Sequence, residues 1–283
     1  MAFLIVLSFD FWRLFVRPSC SYLVCATPRS GSTLLCEDLS NTGLAGQPKE
    51  YFEALKKSGL PRRPSEYFES LDNAEIQGLL NAYAGGDEDI PLQVGSYANY
   101  LEQVIKEGTS PNGVFGAKMM WGYFDDFLSH VREIPAWQTT ATPELLEDIF
   151  PNLHYIWITR RDKVRQAVSL WRAIQTSVWR QEESFAAHKS HHELIFNRDA
   201  IEHLVQQITS HEEAWRAYFE VNGIQPLTIV YEDFVPAQEE TIRSVLSYLG
   251  VPVSDTFALP QRYMRRQADE LSEEWVQRYL QYL

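Results

Sequence analysis

Short apolar runs rich in β-branched and aromatic residues alternate along this chain with stretches in which apolar positions recur at helical spacing. The first run, Tyr22 to Thr27, halts at Pro28, passes through Arg29-Ser30-Gly31 and restarts at Ser32-Thr33 in a helical pattern. His154 to Thr159 is a second such run. It enters Arg160-Arg161-Asp162, where Asp162 is placed to cap a helix from Lys163 to about Val178. Val114 to Lys118 reads as a short strand, and Pro226 to Tyr231 as another buried one. Further helices are predicted from Ala74 to Tyr83, Ser96 to Lys106, and about His192 to Val221. Thr142 is expected to cap a helix running through Phe150 with Pro143 at its first position, and Gln238 to Leu249 is expected to stop at Gly250. Prolines and glycines punctuate an insertion-rich stretch from Gly43 to Gly95. Strands alternating with helices predict an α/β fold, a mostly parallel sheet flanked by helices on both faces.

With 283 residues, 45% of them hydrophobic, the chain can bury one sizeable core, and residues 21–283 are read as a single domain. A formal net charge of −13 offers no general attraction to nucleic acid or to an anionic membrane. An anionic ligand must then be drawn by local cations, and Arg160 to Arg165 and Arg262 to Arg266 are the candidates. Cys20, Cys25 and Cys36 show no metal-ligand spacing, and so sparse and odd a count suits a reducing cytoplasm. Residues 1–20 form an apolar extension broken by Asp10 and Arg13, too short for a transmembrane helix and lacking the features of a signal peptide. It reads as a start-site artefact, a surface helix or a membrane-touching extension; residues 1–19 are the part of the chain expected to meet a membrane, if any does.

Chemistry enters at the strand-to-helix junctions. A helix amino-terminus presents backbone N–H groups and the positive end of its dipole, which suits an anion. At the first junction Gly31 permits close approach, Ser30, Ser32 and Thr33 add hydroxyls, and Arg29 adds a forked cation. The second glycine and the lysine of a Walker A loop are missing, so phosphate binding is expected without an obvious metal apparatus. An ordinary turn with a serine cap remains the plainer reading of this segment. At the second junction Arg160 ends a strand and Ser169 follows Asp162 by two helical turns, so the pair could grip one anion. A solvated basic face is the alternative there.

Thr27-Pro-Arg-Ser-Gly-Ser-Thr-Leu-Leu35, Gly43-Leu-Ala-Gly-Gln-Pro-Lys-Glu50-Tyr-Phe52, Gly113-Val-Phe-Gly-Ala-Lys118-Met-Met-Trp121, Gln166 to Arg180, Arg266-Gln-Ala-Asp269 and Glu274 to Tyr279 occur in order across the chain. Together they resemble the bacterial trehalose 2-sulfotransferase family, among the sulfotransferases that use 3′-phosphoadenylyl sulfate (PAPS). The resemblance implies a P-loop-like sulfotransferase fold, PAPS as donor, 3′,5′-ADP as product, no metal, a carbohydrate or glycolipid hydroxyl as acceptor, and a homodimer. It implies that Arg29, Ser30, Gly31, Ser32 and Thr33 hold the 5′-phosphosulfate. Arg160 and Ser169 would hold the 3′-phosphate, Tyr231 would lie near the nucleotide, and Arg266 would close over it. Glu50, which by itself reads as an exposed acid in a polar turn, takes the place of the base. Lys118 reads equally as a contact to the sulfuryl oxygens or as a snorkelling strand-end residue.

On the acceptor side Pro28 and Gln47 stand where the family has Gln and Glu beside the sugar, which puts trehalose itself among several candidates. Tyr51, Phe52 and Trp121 are expected to stack on apolar sugar faces, with core packing as their rival role. A kinase using ATP and a silent nucleotide- or sugar-binding module are the competing functions.

Overall fold

The computed structural model describes residues 17–53, 64–83, 96–176, 194–254, 259 and 270–282. Strand β1 (Cys20–Ala26) is buried beyond its first residue, as an unbroken apolar run requires of a strand covered on both faces. It feeds helix α1 (Ser32–Asn41) through the Arg29 loop. Helix α2 (Ala74–Tyr83) follows, and then α3 (Tyr97–Gly108), capped by Ser96, whose hydroxyl oxygen accepts from the Asn99 N–H. Strand β2 (Val114–Met120) leads through a tight turn into α4 (Phe124–Val131) and on to α5 (Thr142–Ile149). Next come β3 (Leu153–Thr159), α6 (Lys163–Thr176), the long α7 (Arg198–Val221) and β4 (Leu227–Val230). A single helical turn (Tyr231–Phe234), α8 (Gln238–Tyr248) and α9 (Glu270–Leu280) complete the chain.

The four strands are parallel in the order β2-β1-β3-β4. Successive parallel strands need crossovers, and the helices supply them, so the sheet is α/β as expected. Because β1 and β3 are central neighbours, with Cys25 opposite Trp157, the loops leaving their carboxyl ends lie side by side. That adjacency brings the two anion-suited junctions together. One core fills the sheet faces; a second packs α6 against α7 and α9 through Trp171, Leu204 and Trp275.

Several boundaries shift for local reasons. Strand β2 extends two residues beyond Lys118 because Met119 and Met120 stay paired with Cys25 and Ala26. Thr142 is helical rather than a cap: extended Ala141 holds the cap position, and Pro143 is tolerated in the first turn, where its missing N–H costs nothing. The long helix starts at Arg198 because Asn197 Oδ1 accepts from the Ala200 N–H at 2.9 Å. Strand β4 ends at Val230, and Tyr231 opens the helical turn instead of closing the strand. Gly250, at φ 68°, ends α8 as expected. Arg266, residues 1–16, and the last two residues predicted for α6 lie outside the described residues. No helix among the described residues is long and apolar enough to cross a membrane.

Candidate active site

The loop between β1 and α1 turns through two left-handed residues, Arg29 at φ 64° and Gly31 at φ 91°. A Cβ at Gly31 would stand 2.4 Å from Tyr231 Cδ2, so the loop backbone lies directly against the Tyr231 ring. Gly31→Ala therefore meets both a dihedral and a steric penalty. It is expected to cost about 1–3 kcal/mol of stability in denaturant unfolding and to weaken anion binding by the displaced loop. Gln166, fully buried on α6, pins the loop from behind by donating to Thr27 Oγ1 (2.9 Å) and to the Pro28 carbonyl (2.7 Å). Gln166 opens one of the blocks that carry the family resemblance, and in the sequence it is an amide on the apolar face of an amphipathic helix. The Ser30 and Ser32 side chains are buried, at 0% and 2% exposure, which leaves Thr33 as the half-buried hydroxyl of the loop. The expected hydroxyl contacts from Ser30 and Ser32 are thus not presented at the surface.

Arg29, Arg160, Ser169 and Tyr231 converge. Arg29 Nε donates to Ser169 Oγ at 3.0 Å. Arg160 is held on the other side, its guanidinium 4.7 Å over the Tyr231 ring and its Nη1 3.4 Å from the Arg29 carbonyl. The β3–α6 turn explains this placement. Glu232 accepts the backbone N–H groups of Arg161 (3.0 Å) and Asp162 (3.4 Å), and its Oε1 lies 3.6 Å from Arg160 Nε. Asp162 caps α6 as predicted, accepting from the Arg165 N–H at 2.8 Å. Lys163 donates to the Arg160 carbonyl and pairs at 2.6 Å with buried Glu212 on α7, which fixes the turn from inside. Burial, then the charge of Arg160 with a further push from Arg172, lowers the Arg29 pKa to about 10. Arg29 is therefore a cation at neutral pH that is poorly hydrated and faces other cations, an environment that an anion would relieve.

A second group forms where the chain returns to the sheet. Lys49 makes an isolated parallel bridge with Ala117, and its carbonyl accepts the Lys118 N–H at 2.9 Å. This sets Glu50 beside the end of β2. Lys118 Nζ stands 2.6 Å from Glu50 Oε2 and 3.3 Å from Thr33 Oγ1, with the lysine 4% exposed and the glutamate 21%. Lys118 is accordingly not a snorkelling residue: it spans from the first turn of α1 to the carboxylate. The Tyr123 hydroxyl, a group that sequence reasoning missed, donates to Glu50 Oε1 at 3.2 Å.

The aromatic expectations divide. Phe52 is fully buried against Phe127 (centroids 4.6 Å apart) and Phe150, so no ring face is left for a sugar; it is a core residue. Tyr51 is half-buried and donates to the Gln47 carbonyl at 2.7 Å, while the Gln47 N–H donates to the Gly108 carbonyl at 2.9 Å. Trp121 is half-buried, edge-on to Trp215 at 5.0 Å.

Known proteins resemble this chain over nearly its whole length. The family model described as Stf0 sulphotransferase matches residues 21–281. The trehalose 2-sulfotransferase of Mycobacterium tuberculosis is 36% identical over 265 residues, spanning 93% of this chain and 94% of that protein. The trehalose 2-sulfotransferase of Mycolicibacterium smegmatis is 35% identical over 263 residues, 92% of this chain and 94% of its own. Among solved structures, the sulfotransferase domain from the curacin biosynthetic pathway overlays loosely, with a TM-score of 0.43 at 15% identity over 84% of this chain and 76% of that one.

Proposed function

The chain belongs to the Stf0 sulphotransferase family, and on that footing we propose that it moves a sulfuryl group from PAPS to a hydroxyl of a carbohydrate or glycolipid, with trehalose the first acceptor to try. The observation that carries this reading is the connected chain Thr33–Lys118–Glu50, which ties the anion-suited loop to a partly exposed carboxylate. A carboxylate in that place can take the proton of an acceptor hydroxyl.

The residues fit the donor. Arg29 and Arg160, with the Ser169 hydroxyl beside them, form a cationic cluster next to the amino-terminus of α1, suited to the phosphates of a nucleotide. PAPS, when bound, supplies an activated sulfuryl group on a phosphate leaving group. Glu50 then holds the acceptor O–H and takes its proton late, as the new S–O bond forms. Lys118, Arg29 and the first-turn N–H groups of α1 face the place where negative charge grows. Gln47, Tyr51 and Trp121 lie along the segments that carry Glu50 and Lys118 and would border the acceptor; Pro28, whose carbonyl is taken by Gln166, would shape it without offering a donor. A homodimer and a cytoplasmic setting belong to the same proposal by family likeness.

The test is donor dependence. Labelled sulfate should pass from PAPS to trehalose or another sugar at a rate unchanged by EDTA, and ATP with Mg²⁺ should give no labelled product. The sulfuryl group carries less charge than a terminal phosphoryl group, so the loop cations suffice for it. Turnover with ATP that EDTA abolishes would favour the kinase reading instead.

A further inference from the structure

Tyr123 touches the carboxylate read as the base yet has no part in the chemistry above. Its side chain is 3% exposed. The residue closes the turn between β2 and α4, and Phe124 and Phe127 immediately beyond it are core residues, so the ring is held by packing on rigid elements. The hydroxyl stands 3.2 Å from Glu50 Oε1 and 3.3 Å from the backbone carbonyl of Lys118. One O–H can point at one acceptor at a time, so this hydroxyl has two acceptors at nearly equal distance.

The two oxygens of Glu50 are unequal. Among the described residues, Oε2 has the Lys118 ammonium at 2.6 Å and Oε1 has the Tyr123 hydroxyl at 3.2 Å. A proton arriving from an acceptor hydroxyl is less opposed at Oε1, the oxygen farther from that ammonium. We propose that Tyr123 is a positioning residue for Glu50: its hydroxyl holds Oε1 in place while the carboxylate is charged, then turns its proton to the Lys118 carbonyl and accepts from Glu50 once that carboxyl is protonated. This rests on the reading of Glu50 as the base. Among the described residues, the charged groups facing the pair are Lys118, Glu50 itself and Glu53. Burial first, then the charges of Glu50 and Glu53, push the Tyr123 pKa well above 10, so the phenol keeps its own proton through the working range and does not compete for the transferred one.

A tyrosine that only fills the core and satisfies the Lys118 carbonyl would leave the base untouched, and Tyr123→Phe separates the roles because it removes one oxygen and keeps the ring. The Glu50 side-chain carboxyl is followed by ¹³C NMR titration in the full chain, its signal identified by its loss in Glu50→Gln. Turnover of PAPS with trehalose is measured across pH in parallel. In Tyr123→Phe the titration midpoint should move upward from that of the wild type, since a hydrogen bond to the charged form is lost. The value of kcat should fall roughly tenfold, its acid limb should move to higher pH, and the KM for PAPS should hold. A midpoint that stays put while the melting temperature drops would overturn the proposal and leave a structural tyrosine. The titration needs no acceptor, so it decides even if trehalose is not turned over. Normal turnover by Glu50→Gln would sink the base reading by itself, a result distinct from an unmoved titration in Tyr123→Phe.

Discussion

Glu50→Gln should lower kcat by about 10²–10⁴-fold while donor affinity stays nearly unchanged. The amide keeps the shape, and its one oxygen can still accept from Lys118, while the NH2 group that replaces the other oxygen no longer accepts from Tyr123. What it loses is the capacity to take a proton. Wild-type turnover should decline toward acidic pH as the carboxylate is protonated, and that limb should vanish in the variant. Steady-state rates over pH, with 3′,5′-ADP titrated into both proteins, check this. The substitution also leaves the Lys118 cation without its counter-charge, so thermal melts of both proteins must accompany the kinetics. Near-normal turnover in a folded variant, or lost donor binding with kcat preserved, would remove Glu50 from the mechanism.

Arg29→Ala should damage binding and rate together. The guanidinium donates to Ser169, and its carbonyl accepts from Arg160, so it stands where the two strand-to-helix junctions meet. Losing one donor to developing charge commonly costs about 10²–10³ in kcat. The KM for PAPS should rise as well, because the same cation is held ready before the reaction. Burial and the neighbouring arginines already depress its pKa to about 10, so the site carries charge that water hydrates poorly. Binding of 3′,5′-ADP should therefore raise the melting temperature of the wild type clearly and that of Arg29→Ala much less. Equal shifts in both proteins would show that the nucleotide phosphates are held elsewhere.

Both junctions were legible in the sequence because each is local: an apolar run, a turn rich in small or cationic residues, and a cap such as Asp162. The side-chain partnerships were not, because they join residues far apart in the chain. Arg29 finds Ser169 on α6, and Arg160 is fixed by Glu232, a residue on the turn after β4. Tyr123 reaches Glu50 only through the bridge that lays Lys49 beside Ala117. Phe52 misled for a related reason. It lies in a turn beside Glu50, and that turn directs its ring inward onto Phe127 and Phe150. Helix starts slipped by a residue or more where a cap lay next to residues that would also suit one, as at Ala141 and Asn197.

The sheet order has a consequence for descent with modification. The cationic groups hang from β1 and β3, the two central strands, where a change in one residue is felt on both sides. Glu50 and the residues beside it hang from the outer flank of β2 by an isolated bridge at Lys49. Mutations in that outer segment can reshape what the enzyme accepts without disturbing the central strands. Lineages sharing this architecture are thus free to vary the outer segment that carries Gln47 while keeping the central strands.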